Sequence, residues 1–367
     1  MKFFDFNKSI EDKLYKVRDE KDSDIYLYLS NFFSEYKKQV ESELFNLFKD
    51  EFKEDEAILF YNDNKKLVSS KIDYYCDNIL LALDCYLHGD IKNAVDHIKN
   101  ILNDDYFFSP YSSYLPIDIN MYRIRKNDLG NPFFRINDMF HIPFEKRYLV
   151  SPQRFSINGF PCLYAGDSIF VSWLEMNMPN LEDFFVSRLR MKDIHLIYSL
   201  LDLRWPNHSY IYQEFHEDRN APKHYILLYG LLYWPLIIAC SIKVLHPLSP
   251  FKPEYIIPQL TMLSLIDTRY IGCAYTSTKI SNEFSWSERC TNYVFTARSK
   301  DISSGYSDVL KSLFTITEPI CYKFELIKST FDKYKSKKQE KEVNSYEYTT
   351  FGLMEKILAD KELKQIV

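Results

Sequence analysis

The sequence predicts an α+β protein: a helical N-terminal domain over residues 1–117, a mixed α/β domain over 118–325, and a charged linker with a terminal helix over 326–367. Three observations predict it. From about residue 24 to 104, apolar residues recur at three- and four-residue steps, the period of a helix with one buried face. From about residue 105, short β-like runs alternate with helical stretches. Glycine is scarce, 8 in 367 residues, and no two are placed to form a GxGxxG turn or a Walker loop. A Rossmann fold and a P-loop fold are therefore excluded.

The elements follow in order. Leu27, Leu29, Phe32, Phe33, Tyr36, Val40, Leu44, Leu47 and Phe48 mark one helix between Ile25 and Phe52. Ile72, Tyr75, Cys76, Ile79, Leu80, Leu83 and Tyr86 mark a second, from about Lys66 to Leu87. Gly89 suits a helix C-cap and Asp90 the next N-cap, so a third helix runs from Ile91 to Leu102. Strands are expected at 121–126 (MYRIRK), 161–166 (PCLYAG), 194–200 (IHLIYSL), 270–277 (YIGCAYTS) and 292–298 (NYVFTAR). Tyr225 to Ile242 is uncharged but carries Gly230, Trp234 and Pro235 in its middle; it reads as a buried helix or a strand–turn–helix pair rather than a membrane span. Residues 332–346 are a solvated charge run, followed by an amphipathic helix near 350–366.

Composition narrows the function. Aromatic residues make up 17% of the chain, so the core is ring-rich. The net charge is −5 and the basic residues are dispersed, which argues against a direct nucleic-acid binder. Seven cysteines without a CxxC fit a reduced cytoplasmic protein, with neither a disulfide framework nor a cysteine zinc site. The N-terminus turns polar after six residues, unlike a signal peptide. No two histidines stand three or four apart and no HExxH or GxSxG occurs, so no metal site and no α/β-hydrolase elbow is expected.

The informative segment is 154–175, RFSINGFPCLYAGDSIFVSWLE. Pro161 to Ala165 reads as a strand, Ser168 as a helix N-cap, and Ser168, Ser172 and Glu175 as a polar stripe on the helix that follows. Hydroxyls and a carboxylate just beyond a strand end suit a site, although a solvated surface glutamate fits the same pattern. Arg154, Phe155, Ser156, Gly159, Pro161, Leu163, Tyr164 and Glu175 together resemble the central motif of the RES domain family. Tyr122-Arg123 resembles its opening Tyr-Arg, and Ser277 its late serine at the end of a Tyr-x-Ser strand. Gln153 stands where many members have Gly and Ser156 where many have Asn, and residues 178–250 are an insertion.

The resemblance implies an ADP-ribosyltransferase-like fold and chemistry at the nicotinamide–ribose bond of NAD⁺, which is the substrate and not a bound cofactor. It also implies a toxin or defence effector, restrained by an Xre-type antitoxin or another protein. Nicotinamide leaves as a neutral base, so stabilising the oxocarbenium-like ribose is the main task. Under the resemblance Glu175, Ser277 and Arg123 are catalytic, and Tyr164, Arg154, Ser156 and Tyr122 bind substrate. Glu175 would face the ribose, Tyr164 stack on nicotinamide, Arg123 and Arg154 clamp pyrophosphate, and Ser277 bond the carboxamide or align Glu175. Water, phosphate or a protein side chain stays open as acceptor, and an inactive RES-like binding module is the alternative from another class. The N-terminal helices either gate the pocket or dock the restraining partner, or they complete the fold or form a homo-oligomer.

Overall fold

The computed structural model describes residues 2–104, 119–127, 134–192, 199–206, 223–266, 268, 270–280, 289–298, 305–321 and 346–366. The charge run expected at 332–346 lies outside the described residues up to 345, as do the aromatic stretch 105–114 and the first part of the strand expected at 194–200. The helices are α1 (Phe3–Leu14), α2 (Ile25–Glu51), α3 (Glu54–Leu87), α4 (Ile91–Leu102), α5 (Ile169–Glu175), α6 (Lys223–Ser241), α7 (Ile256–Ser264), α8 (Asp308–Leu313) and α9 (Thr350–Ala359). The strands are β1 (Asn120–Lys126), β2 (Cys162–Gly166), β3 (Phe184–Met191), β4 (Ser199–Leu203), β5 (Tyr270–Thr276), β6 (Thr291–Thr296), β7 (Phe314–Thr317), β8 (Ile320–Cys321) and β9 (Leu363–Gln365). An N-terminal helical region followed by strands paired both parallel and antiparallel, with helices among them, makes the chain α+β.

By packing, the chain forms two compact units. The first comprises Met1–Tyr114, Gln153–Ser156 and Ser199–Thr278; the second comprises Leu115–Pro152, Ile157–Tyr198 and Lys279–Val367. Residues 199–278, which the sequence reading groups with the α/β domain, thus pack with the N-terminal helices.

In the first unit, Asp24 caps α2 by accepting from the Tyr26 and Leu27 amides, and Asp90 caps α4 as expected. The stretch read as a buried helix or a strand–turn–helix pair is one helix, α6. It lies against α2 and α3, and from Leu231 to Cys240 every residue is buried. Two features of α6 depend on the other helices. A Cβ on Gly230 would overlap the Phe3 ring of α1, so glycine lets the ring seat on the helix. Pro235 has no N–H to give the carbonyl of Leu231, and the Tyr36 hydroxyl of α2 donates to that carbonyl at 2.5 Å. β4 and β5 pair in parallel, Leu201 opposite Cys273, with α6 and α7 between them in the chain. Among the described residues, no helix is long and apolar enough to cross a membrane.

The second unit carries an antiparallel sheet in the order β6–β2–β1–β3–β7–β9, with β8 also paired to β3. α5 and α9 cover one face, where Tyr122, Ile124, Ile169, Phe184, Val186, Met354 and Leu358 form a common core. Two expectations are corrected. The terminal helix ends at Ala359, and Leu363–Gln365 instead adds a strand to β7, with Ile316 opposite Lys364. The helix expected from about Lys66 begins at Glu54, where Glu54, Asp55 and Glu56 place acidic side chains in its first turn.

Candidate active site

The site is built around α5, a helix of two turns held at both ends. Ser168 caps it, its Oγ accepting from the Val171 amide at 3.2 Å. The Glu355 carboxylate of α9 accepts from the Ile169 amide at 2.8 Å and is itself held by Tyr346 and by Arg289. Burial raises the Glu355 pKa, opposed by these hydrogen bonds and by the Arg289 cation. Ser172, in the middle of α5, donates to the Tyr122 carbonyl at 2.8 Å and accepts from the Gly166 amide at 3.1 Å. It therefore stitches α5 to both β1 and β2. A Cβ on Gly166 would stand 2.7 Å from the Ser172 Oγ, so this approach requires glycine.

Glu175 ends α5, with its side chain 30% exposed. Asn292 of β6 donates from Nδ2 to Glu175 Oε1 at 2.7 Å, and Lys279 Nζ lies 3.8 Å from Oε2. Beyond Glu175 the chain turns back through two left-handed residues, Asn177 at φ 59° and Met178 at φ 50°. Their amides bond to the carbonyls of Leu174 and Trp173. Asparagine tolerates this conformation, but methionine adopts it rarely and at a cost.

Arg123 and Tyr164 stand on neighbouring strands. β1 and β2 share the single register pair Tyr122–Gly166. Next to that pair, the Arg123 guanidinium donates from Nη1 to the Tyr164 carbonyl at 2.7 Å. Its Nε is buried and makes no hydrogen bond among the described residues. Burial, reinforced by the Arg125 cation, pulls the Arg123 pKa down to about 10. Tyr164 is partly exposed.

The second unit thus holds Tyr122, Arg123, Tyr164 and Glu175, and the first holds Arg154, Ser156 and Ser277. Tyr122, expected to bind substrate, is 5% exposed in the core beneath α5 and α9. Arg154, expected to clamp pyrophosphate, commits its guanidinium to the carbonyls of Cys240 and Ile242 and to Thr278 Oγ1, at 3.0–3.1 Å, and lies over the Tyr255 ring. These contacts tie the short segment 153–156 into the first unit, where Gln259 also donates to the carbonyls of Gln153 and Ser156. Ser156 and Ser277 are both buried.

Sequence reasoning missed Asn292 and Lys279. An asparagine inside an apolar strand was the available signal for the first, since strands are poor in it. Nothing in the local sequence marks Lys279, whose partners lie more than a hundred residues away. Among the described residues, no group of three or more His, Cys, Asp or Glu could hold a metal ion.

The chain is 31% identical over 271 residues to the protein named "Putative toxin YopC" of Bacillus subtilis (strain 168). The match covers 71% of this chain and 60% of that protein, so it spans less than two thirds of the relative's length. No known family profile matches the chain, and no solved structure matches it.

Proposed function

We propose that this chain is a toxin-like enzyme that cleaves the nicotinamide–ribose bond of NAD⁺, passing the ADP-ribose to water or phosphate. The observation that carries the reading is the Glu175 carboxylate, partly open to solvent yet held by Asn292 at 2.7 Å. A carboxylate so placed faces a developing oxocarbenium ion without prior reorganisation, which is where electrostatic catalysis gains most. Arg123 adds a buried guanidinium that donates to the Tyr164 carbonyl, and its role toward NAD⁺ rests on the RES resemblance. The similarity to a protein named as a toxin supports an effector that harms a cell. Roles for Ser277 and Ser156 toward NAD⁺ rest on the RES resemblance alone.

The test is incubation of the purified chain with NAD⁺, with and without phosphate, with nicotinamide and the ribose product read by chromatography. Glu175→Gln keeps the shape and removes the charge. Its turnover is expected to drop roughly 10²-fold or more while NAD⁺ binding changes far less. Equal turnover in the variant would make the carboxylate structural and sink the reading.

A further inference from the structure

We infer that Lys279 is a positioning residue for Glu175, locking the last turn of α5 so that the carboxylate keeps one direction. The inference rests on the reading of Glu175 given above. Lys279 Nζ donates to the Glu175 carbonyl at 2.8 Å, to Asn177 Oδ1 at 2.8 Å and to the Leu174 carbonyl at 3.2 Å. An ammonium has three N–H donors, and here three acceptors converge on it from one helix end. Carbonyls of a last helical turn lack helical partners and attract a cation.

The geometry is more than a surface ion pair. The Lys279 and Glu175 side chains are 37% and 30% exposed and their charged atoms stand 3.8 Å apart, so their direct attraction is screened by water. The ordering comes from the bonds to the backbone and to Asn177. These bonds hold the turn in which Asn177 and Met178 are left-handed, a conformation that persists only where its surroundings over-determine it. Trp173 completes the clasp by donating from Nε1 to the Pro179 carbonyl at 2.7 Å. Asn292 then aims the carboxylate while Lys279 fixes the backbone that carries it.

The experiment compares kcat and KM for NAD⁺ in the full-length wild type, Lys279→Met and Lys279→Arg, with melting temperatures alongside. A misplacement of about 1 Å at a catalytic group lowers rates up to roughly 10²-fold, so kcat of Lys279→Met is expected to fall about tenfold or more. KM should move less than about threefold, and arginine, which keeps charged donors, should recover most of the rate. A wild type that releases no nicotinamide overturns the reading of Glu175 and this inference with it. Wild-type turnover with an unchanged kcat in Lys279→Met overturns the inference alone. Should Lys279→Met not fold, Asn177→Gly decides: glycine keeps the left-handed turn but removes one anchor of the ammonium. A several-fold loss of kcat then supports the inference, and an unchanged kcat overturns it.

Discussion

In the helical unit, Trp234 Nε1 donates to Asn7, Trp205 Nε1 donates to Ser241, and Arg18 meets Glu254 at 2.6 Å with both side chains 1% exposed. In the sheet unit, the Glu175 side chain is 30% exposed and Arg123 Nε is buried without a partner among the described residues. The first set consists of three side-chain contacts inside the core, the last of which leaves Glu254 Oε2 without a hydrogen bond among the described residues. Each joins elements far apart in sequence, so its yield is the uniqueness of the fold. The second set holds a carboxylate that reaches solvent, and partly exposed charged groups in a structured setting gather where ligands bind. The contrast teaches that polar side chains in this chain divide by what packing brings to them, and not by residue type: Arg154 and Arg123 were expected to share a role, yet Arg154 bonds to two carbonyls and Thr278 while Arg123 donates to the Tyr164 carbonyl.

Deleting residues 1–104 tests that contrast most severely. If the N-terminal helices complete a core, the deletion exposes the apolar faces of α6 and α7, including Leu231, Trp234, Ile238 and Leu260, all fully buried. The expected result is an insoluble chain, assayed by the soluble fraction after expression. A soluble fragment with raised NAD⁺ turnover or greater toxicity would instead make the helices a gate.

A pH comparison probes a closed contact within the sheet unit. His141 is buried, donating from Nδ1 to the Ile142 carbonyl and accepting at Nε2 from the Ser307 amide, both at 2.8 Å. Burial lowers its pKa to about 4, because the charged ring loses its solvation. Below the ordinary histidine pKa of about 6.5, the unfolded chain binds the proton more readily than the folded one. Stability from this group is thus present above about pH 6.5 and lost as pH falls toward 4. Asp167, raised by burial to about 7, works with the opposite sign, its share being lost as pH rises toward 7. Comparing wild type with His141→Gln cancels the Asp167 contribution. The stability gap between them, read by urea unfolding, should shrink by about 3 kcal/mol from pH 7 to pH 4. A constant gap would mean that the ring is not held neutral.

The smallest effect sharpens the picture of the helical unit. Tyr36→Phe leaves the Leu231 carbonyl without the donor that Pro235 cannot supply, and should cost about 1–2 kcal/mol in denaturant unfolding. Pro235→Ala restores a helical N–H, so the double variant should recover most of that loss. Additive effects would show that the hydroxyl and the missing amide are independent.

Much of the fold was legible because helical and strand periods are local. The helices ending at Glu51, Leu87 and Leu102 and the strands β1, β2, β5 and β6 fall where the pattern of apolar residues puts them. α1 escaped because Asn7 and Glu11 lie on its buried face and interrupt the apolar stripe. β9 escaped because Leu363–Gln365 has no strand pattern of its own and becomes a strand through pairing with β7. In the candidate site, the strand–cap–helix order leading to Glu175 was legible, since Ser168 and the helix faces lie within one short segment.

By itself the sequence determined the α+β class, the helix that carries Glu175, and the exclusion of glycine-loop nucleotide folds, because composition, period and capping act within a few residues of each other. Only the tertiary structure decided which polar groups are consumed. Asn292 and Lys279 reach Glu175 across more than a hundred residues of chain, and Arg154 is drawn into carbonyls 86 and 88 residues away. A buried donor must bond to whatever acceptor packing brings within about 3 Å, and which one that is depends on the whole path of the chain.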